Sequence, residues 1–164
     1  MRPLKIFSIL FSFYSLLSII NLTLISNMLV SIFSIILGLI ASFFLRKEFK
    51  NFTSRIEFKI PYAGSYLMLL GYMGIIIGIP TSSISAVHLL GITLVLIGAL
   101  FVDIGILTAL VVGGIRLYSL WKNKWLVIIS VIFLFGLILS FPLHRIGDIF
   151  YMIASILTFM KSPS

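Results

Sequence analysis

The chain has 164 residues, of which 61% are hydrophobic and only 10% are charged. Soluble domains are about half apolar and about a quarter charged, so this composition excludes an ordinary water-soluble globule. The sequence contains no cysteine, which excludes disulfides, thiolate metal sites and thiol nucleophiles. The net charge of +8 would suggest nucleic acid binding in a soluble domain, but its distribution along this chain indicates a membrane protein instead.

Long uncharged segments predict membrane-spanning helices. Residues 6–45 contain no charged side chain, whereas one span needs only about 20 residues. Because lipid offers no hydrogen-bond partners, each span must satisfy its own backbone as a helix or within a closed barrel. The continuous apolar runs lack the alternating polarity of barrel strands. We therefore expect an all-α, multi-pass helix bundle in the cell membrane.

About six helices are predicted in chain order. The first apolar run lacks an Ala-x-Ala-like cleavage site, so it is interpreted as an uncleaved helix, and the chain turns back at the polar residues 21–27. A single transmembrane domain then covers residues 1–164. Its spans are predicted near residues 5–22, 28–45, 61–79, 86–112, 125–141 and 146–160.

The only strongly charged segment, residues 46–59, separates the second and third predicted helices. Its apolar residues Phe49, Phe52 and Ile56, followed by Ile60, recur at three- and four-residue spacing. This pattern predicts either an amphipathic helix in the headgroup layer or an ordinary solvated loop.

The placement of positive charge predicts the topology. If residues 86–112 form one tilted helix, eleven of the twelve Lys and Arg residues lie on one side and only Arg145 lies on the other. A break of this run into two spans at Asp103 would instead place eight basic residues on one side and four on the other. Because Lys and Arg near membrane ends are biased to the cytoplasm, six helices with both termini cytoplasmic are predicted.

Glycines recur at seven-residue spacing in the third and fourth predicted helices. They are Gly64, Gly71 and Gly78, with Gly74 adding a GxxxG pair, and then Gly91, Gly98 and Gly105. Residues seven apart lie on one helix face, and small residues let membrane helices approach closely. We expect the two stripes to face each other in a tight antiparallel hairpin.

Asp103 is the only acid that lies away from the ends of a predicted span. A carboxylate at the centre of a membrane helix costs roughly 2.5–3.5 kcal/mol on insertion scales, so such residues usually face a partner or a cavity. Helical geometry points it away from the glycine stripe. It is interpreted either as a proton or cation site, or as a protonated or hydrogen-bonded acid that fixes helix packing.

A second polar group is predicted on the outer face, with His88, His144, Arg145 and Asp148. Two imidazoles at similar depth are able to ligate haem iron or bind a quinol, supported by hydrogen bonds from the neighbouring polar residues. The alternative is that each histidine only hydrogen-bonds at the interface. The sequence has no other ligand or nucleophile motif, so no catalytic residue, metal or cofactor is predicted apart from this haem alternative.

Three function hypotheses follow from these patterns. The first is a non-catalytic subunit or assembly component of a larger membrane complex, which fits the short loops and few polar residues. The second is a small transporter or channel that uses Asp103, and the third is a haem- or quinol-binding subunit that uses His88 and His144. The expected partners are membrane lipids and other membrane subunits or further copies of the chain, and no nucleic acid.

Overall fold

The computed structural model describes residues 2–21 and 28–162, except the side chain of His144. All regular secondary structure in these residues is helical. Its α-helices are α1 (Pro3–Ile20), α2 (Met28–Lys50), α3 (Lys59–Ser82), α4 (His88–Gly105), α5 (Gly113–Trp121), α6 (Trp125–Ser140) and α7 (His144–Lys161). Four helical runs are long and apolar enough to cross a membrane, and α6 is a shorter apolar helix. The chain therefore has the all-α architecture and the helix lengths of a membrane protein.

The helix ends follow local backbone chemistry, with one difference from the sequence-based expectation. Pro3 stands at the first helical position of α1, where its missing N–H costs nothing. Lys122 ends α5 in the left-handed conformation, with φ of 51°. The third span is predicted near residues 61–79, but α3 continues through Pro80 to Ser82. A proline in the last turn removes only one helical hydrogen bond, so the helix continues past it.

The fourth predicted helix is longer than expected. A π-helical segment, Ile106–Val112, joins α4 to α5, and the helical run extends over 37 residues from Ser85 to Trp121. At 1.5 Å per residue this run is roughly 55 Å long, well beyond a hydrocarbon core of about 30 Å. The run therefore either tilts strongly or projects beyond the other helices.

Neighbouring helices close into a ring. In the first half of the ring, α1 packs on α2, α2 packs on α3, and α3 packs on both α4 and the π segment. In the second half, α6 packs on the π segment and on α5. The last helix, α7, contacts both α6 and α1 and so closes the ring. The most extensive contact is between α3 and α4. Because α6 packs on the π segment and α5, α4 lies at the edge of the bundle with α3 as its main neighbour.

Residues 46–59, all of which the structure describes, form no separate amphipathic helix. α2 extends to Lys50, and after a turn a short 3₁₀-helix covers Ile56–Phe58. Phe58 is buried, and the ring of Phe52 lies 6.3 Å from that of Trp121. Through these aromatic side chains the segment packs against the bundle.

One end of the bundle, here called the basic end, carries α1's start, α7's end and the α5–α6 turn. The Arg2 guanidinium lies 5.5 Å from the Trp121 ring centroid, and the Lys161 ammonium lies 4.7 Å from that of Trp125. The Asn123 side-chain amide donates a 2.6 Å hydrogen bond to the Lys161 carbonyl. At the opposite end, Asn21 donates to the Ser31 hydroxyl at 2.6 Å. The rest of the predicted turn, residues 22–27, lies outside the described residues.

The glycine stripes of α3 and α4 face each other across a close backbone contact. A Cβ added at Gly71 would lie 2.5 Å from the Gly98 carbonyl oxygen, and one at Gly98 would lie 2.7 Å from that of Gly71. A Cβ at Gly78 would lie 2.8 Å from the Gly91 carbonyl oxygen, and one at Gly105 would lie 2.8 Å from that of Gly64. In the reverse direction the nearest atoms differ, because a Cβ at Gly91 would meet the backbone of Ser82 and one at Gly64 would meet Thr108. Gly74 differs, because the nearest atom to its Cβ position is 3.4 Å away. Within these two stripes, the seven-residue series therefore requires glycine and Gly74 does not.

Candidate functional site

Polar side chains from several helices gather inside the ring, toward the end opposite the basic end. We call this group the tyrosine–aspartate cluster, and its members are Tyr14 and Ser18 of α1, Tyr72 of α3, and Asp148 and Tyr151 of α7. Tyr14 and Ser18 are four residues apart, and Asp148 and Tyr151 three apart, so each pair lies on one helix face.

Asp148 is the most deeply buried carboxyl group of the described structure, with 1% of its surface exposed. The Ser18 hydroxyl donates a 2.7 Å hydrogen bond to its Oδ2 atom. This bond joins α1 to α7 across their packing contact. A buried acid of this kind must either hold a proton or have its charge satisfied by its surroundings.

The hydroxyl groups of the two buried tyrosines of the cluster have only poorly aligned neighbours among the described residues. Tyr72 is 1% exposed and Tyr151 is 4% exposed, and neither hydroxyl has a well-aligned hydrogen-bond partner among the described residues. Tyr14 lies beside Tyr72, with ring centroids 5.7 Å apart, and Ser140 lies beside Tyr151. An unpaired buried hydroxyl costs roughly 1–3 kcal/mol, so two of them next to a buried carboxyl group call for an explanation.

Glycines on the neighbouring helices make room for these two rings. A Cβ at Gly38 of α2 would lie 2.6 Å from the Tyr72 ring, and one at Gly136 of α6 would lie 2.7 Å from the Tyr151 ring. The two tyrosines therefore occupy their positions only because α2 and α6 carry no side chain opposite them.

Asp103 lies close to the same cluster. It is half-buried near the end of α4, three residues before the π segment begins. Its carboxyl group acts electrostatically on Tyr14 and Tyr151, and so does that of Asp148. The ring thus brings the predicted intramembrane acid and a second acid to one set of tyrosines.

The interior between the cluster and the basic end is apolar. The Phe11 ring lies 5.2 Å from that of Tyr14, 6.0 Å from that of Tyr151 and 6.3 Å from that of Phe133. Beyond it a cavity of about 20 Å³ is lined almost entirely by apolar side chains, among them Phe7. Buried serines in this half donate to carbonyls of their own helices, as Ser8 does to Leu4 at 2.7 Å. Aromatic rings therefore separate the cluster from the basic end.

The predicted outer-face group is distributed differently in the structure. His88 begins α4, and its Nδ1 atom contacts the Ser82 carbonyl within the α3–α4 turn. Arg145 is exposed near the start of α7, whereas Asp148 faces the interior and bonds to α1. His144 begins α7, and its side chain lies outside the described structure. Within the described residues, no group of three or more His, Cys, Asp or Glu side chains has the geometry of a metal site.

Sequence reasoning missed the tyrosines and Ser18, although part of the signal was present. Asp148 is predicted on the outer face at the start of the last span, but α7 already begins at His144 and buries Asp148 in the bundle. With that helix start, Asp148 and Tyr151 share one face, and a second intramembrane acid is evident. Comparisons with protein families, curated proteins and solved structures find no match for this chain. A functional assignment therefore depends on the chain's own residues.

Proposed function

We propose that the chain is a six-span membrane protein that binds a proton or a small monovalent cation in its interior and carries it across the membrane. The observation that supports this proposal is the burial of Asp148 near two buried tyrosine hydroxyls that have no well-aligned hydrogen-bond partner among the described residues. Ionisable groups inside a membrane are costly and usually mark ion or proton pathways. This observation favours the transporter hypothesis over a purely structural role for the intramembrane acids.

In the proposed topology the spans are α1, α2 up to residue 45, α3, the run from α4 to α5, α6 and α7. The basic end faces the cytoplasm, because Lys and Arg at membrane ends are biased to that side. The tyrosine–aspartate cluster then lies toward the outer side. Arg46 and the residues that follow it leave the hydrocarbon layer at the cytoplasmic headgroups.

The cluster offers oxygen atoms alone, from carboxyl, phenol and hydroxyl groups. Oxygen is the ligand that hard cations prefer, and a carboxyl group that takes up a proton becomes a donor to neighbouring oxygens. A bound cation would take lone pairs from the phenol oxygens of Tyr72 and Tyr151, whereas a proton on Asp148 would provide one hydrogen-bond donor. The aromatic layer around Phe11 blocks a continuous aqueous path, so a carrier that exposes the cluster to each side in turn fits better than an open channel.

Reconstitution in liposomes tests this function. A pH-sensitive dye inside the vesicles reports proton flux under an imposed membrane potential, and a sodium-sensitive dye tests the cation alternative. We expect Asp148→Asn to fold and to lose flux, and Asp103→Asn to reduce it. Glu57→Gln is the matched control, because Glu57 is an exposed acid outside the proposed spans. Wild-type flux through a well-folded Asp148→Asn protein would contradict the proposal.

A role as a subunit of a larger membrane complex is the second candidate. The observation that favours it is the peripheral position of α4, which packs mainly on α3 and leaves Leu96 and Leu100 at 60% and 54% exposure. This candidate predicts a stoichiometric partner after mild-detergent purification from native membranes. Leu96→Asn with Leu100→Asn should release that partner, whereas Ile138→Asn on the exposed face of α6 should not.

The haem or quinol hypothesis stays a prediction for His88 and His144. The Nδ1 atom of His88 is engaged with a carbonyl of its own turn, which leaves Nε2 as its free ring nitrogen. A visible absorption spectrum of the purified protein tests the haem form directly. A haem band that disappears in His88→Ala would support it, and a spectrum without such a band would reject it.

A further inference from the structure

We infer that the protein binds an anionic phospholipid on the exposed face of α2, with the lipid phosphate on Arg46, Lys47 and Lys50. These residues, together with Phe43 and Asn51, line an open groove of about 490 Å³ that we call the α2 groove. The inference does not depend on the interior cluster, because the groove lies on the lateral surface of the bundle, at its basic end.

The groove concentrates positive charge, and the described residues that line it include no acid. Lys47 and Lys50 are exposed, and they lie three residues apart on one helix face. Glu48, the acid nearest in sequence, is buried on another side of α2, beside the Leu4 amide and Arg2. A group of cations at the membrane surface attracts anionic headgroups.

Arg46 is held in position for a phosphate. Its guanidinium lies 5.5 Å from the Tyr62 ring centroid and 5.2 Å from that of Tyr66, and it donates a 3.0 Å hydrogen bond to the Tyr62 hydroxyl. Its Nε atom is buried and has no hydrogen-bond partner in the described structure. A planar guanidinium fixed on aromatic rings loses little freedom when it binds an oxyanion.

An apolar stripe continues from the basic group along the same face of α2. Phe33, Ile36, Ile40 and Phe43 follow one another at three- and four-residue spacing, and all are exposed. Cations at one end of an exposed apolar stripe match an amphiphile with an anionic head and acyl chains. This arrangement favours a phospholipid over a soluble phosphate compound, because only the phospholipid has acyl chains that can contact the stripe.

Lipid titration of the purified full-length protein in a neutral detergent tests the inference. Native mass spectrometry should detect bound phosphatidylglycerol, and thermal unfolding should shift upward with it but not with phosphatidylcholine. Inorganic phosphate serves as the headgroup-only probe and should give no comparable shift. An equal response to phosphatidylcholine would overturn the inference. So would a response to inorganic phosphate as large as that to phosphatidylglycerol, because the site would then recognise phosphate alone.

A charge-matched pair of variants localises the binding. Lys47→Gln with Lys50→Gln should weaken phosphatidylglycerol binding by about tenfold or more, while leaving the Arg46–Tyr62 contact in place. Arg55→Gln with Lys124→Gln removes the same charge from exposed positions elsewhere and should change binding by less than about twofold. Lys47→Arg with Lys50→Arg keeps both positive charges and should bind phosphatidylglycerol as the wild type does. Equal losses in the two glutamine pairs, or retention by the first pair, would contradict the α2 groove as the site.

Discussion

The hydroxyl groups of Tyr72 and Tyr151 distinguish a packing role from a binding role for the cluster. Each ring is buried in a notch opposite a glycine, so phenylalanine fills the same space. Because neither hydroxyl has a well-aligned partner in the described structure, its removal should leave stability unchanged or slightly higher. If the hydroxyls bind the transported ion, the same removal should reduce flux.

We therefore expect Tyr72→Phe and Tyr151→Phe to retain the wild-type melting temperature while losing flux in liposomes. Tyr66→Phe is the control, since Tyr66 is 46% exposed and lies outside the cluster. The opposite pattern, a lower melting temperature with normal flux, would show that the hydroxyls only support packing.

Glu48 connects the start of α1 to the end of α2. Glu48 is 3% exposed, and its carboxyl group accepts a hydrogen bond from the backbone amide of Leu4, a donor in the first turn of α1 that has no partner within its own helix. Burial raises the pKa of Glu48 above its ordinary value, and the hydrogen bond from Leu4 and the charge of Arg2 oppose that rise. The carboxyl group is thus more easily protonated in the folded protein than in the unfolded chain.

Replacement of Glu48 by glutamine should therefore have a pH-dependent effect on stability. A raised pKa in the folded state means that ionisation of Glu48 lowers the free energy of unfolding as the pH rises. Glu48→Gln keeps an acceptor for Leu4 and cannot ionise. We expect its melting temperature to exceed that of the wild type at pH 7.5 and the difference to shrink toward pH ~4.3. A pH-independent difference, or one as large in the exposed Glu57→Gln control, would contradict this assignment.

At the scale of secondary structure elements, the α3–α4 hairpin depends on the seven-residue glycine series. Gly71→Ala would place its Cβ 2.5 Å from the Gly98 carbonyl oxygen, where backbone rather than a flexible side chain must move. We expect a loss of about 1–3 kcal/mol in the free energy of unfolding in detergent. Gly74→Ala is the matched control, because its Cβ meets nothing closer than 3.4 Å. Equal effects of the two substitutions would argue against the close backbone contact.

Some helix boundaries could be predicted from the sequence and others could not. The uncharged runs and the glycine spacing are local patterns, and they indicate where helices lie and which helix faces carry small residues. The extension of α2 to Lys50 depends on burial of Glu48 and Phe49 against other parts of the chain. The π segment, likewise, lies where α3 and α6 both pack on the same run. Such tertiary contacts leave no periodic signal in the sequence.

For the whole molecule, the proposed topology predicts which positions react with an impermeant thiol reagent in intact cells. Single cysteines at Ser83 and Leu143 should be labelled, and those at Asn51 and Lys124 should be protected. All four residues are exposed in the structure, so the substitutions should not disturb packing. Labelling at Lys124 from outside would contradict six spans and favour a break near Asp103.

The closure of the ring explains why the candidate site was only partly predictable. Asp103 is evident from the sequence because it interrupts an apolar run. The contact of Asp148 with Ser18 joins residues 130 positions apart, and it exists because α7 returns to α1. No spacing within one helix reports such a contact, so the cluster appears only when α1, α3 and α7 are placed together.

The central claim is that the tyrosine–aspartate cluster binds a proton or cation, and infrared difference spectroscopy of the protein in membranes tests it most directly. Spectra are recorded while the bathing solution is changed between two pH values and between sodium and a large organic cation. We predict a carboxyl carbonyl band that responds to one of these changes in the wild type, is lost in Asp148→Asn and persists in Glu57→Gln. A wild-type spectrum in which no carboxyl band responds, or a response unchanged in the Asp103→Asn/Asp148→Asn double variant, would contradict the account.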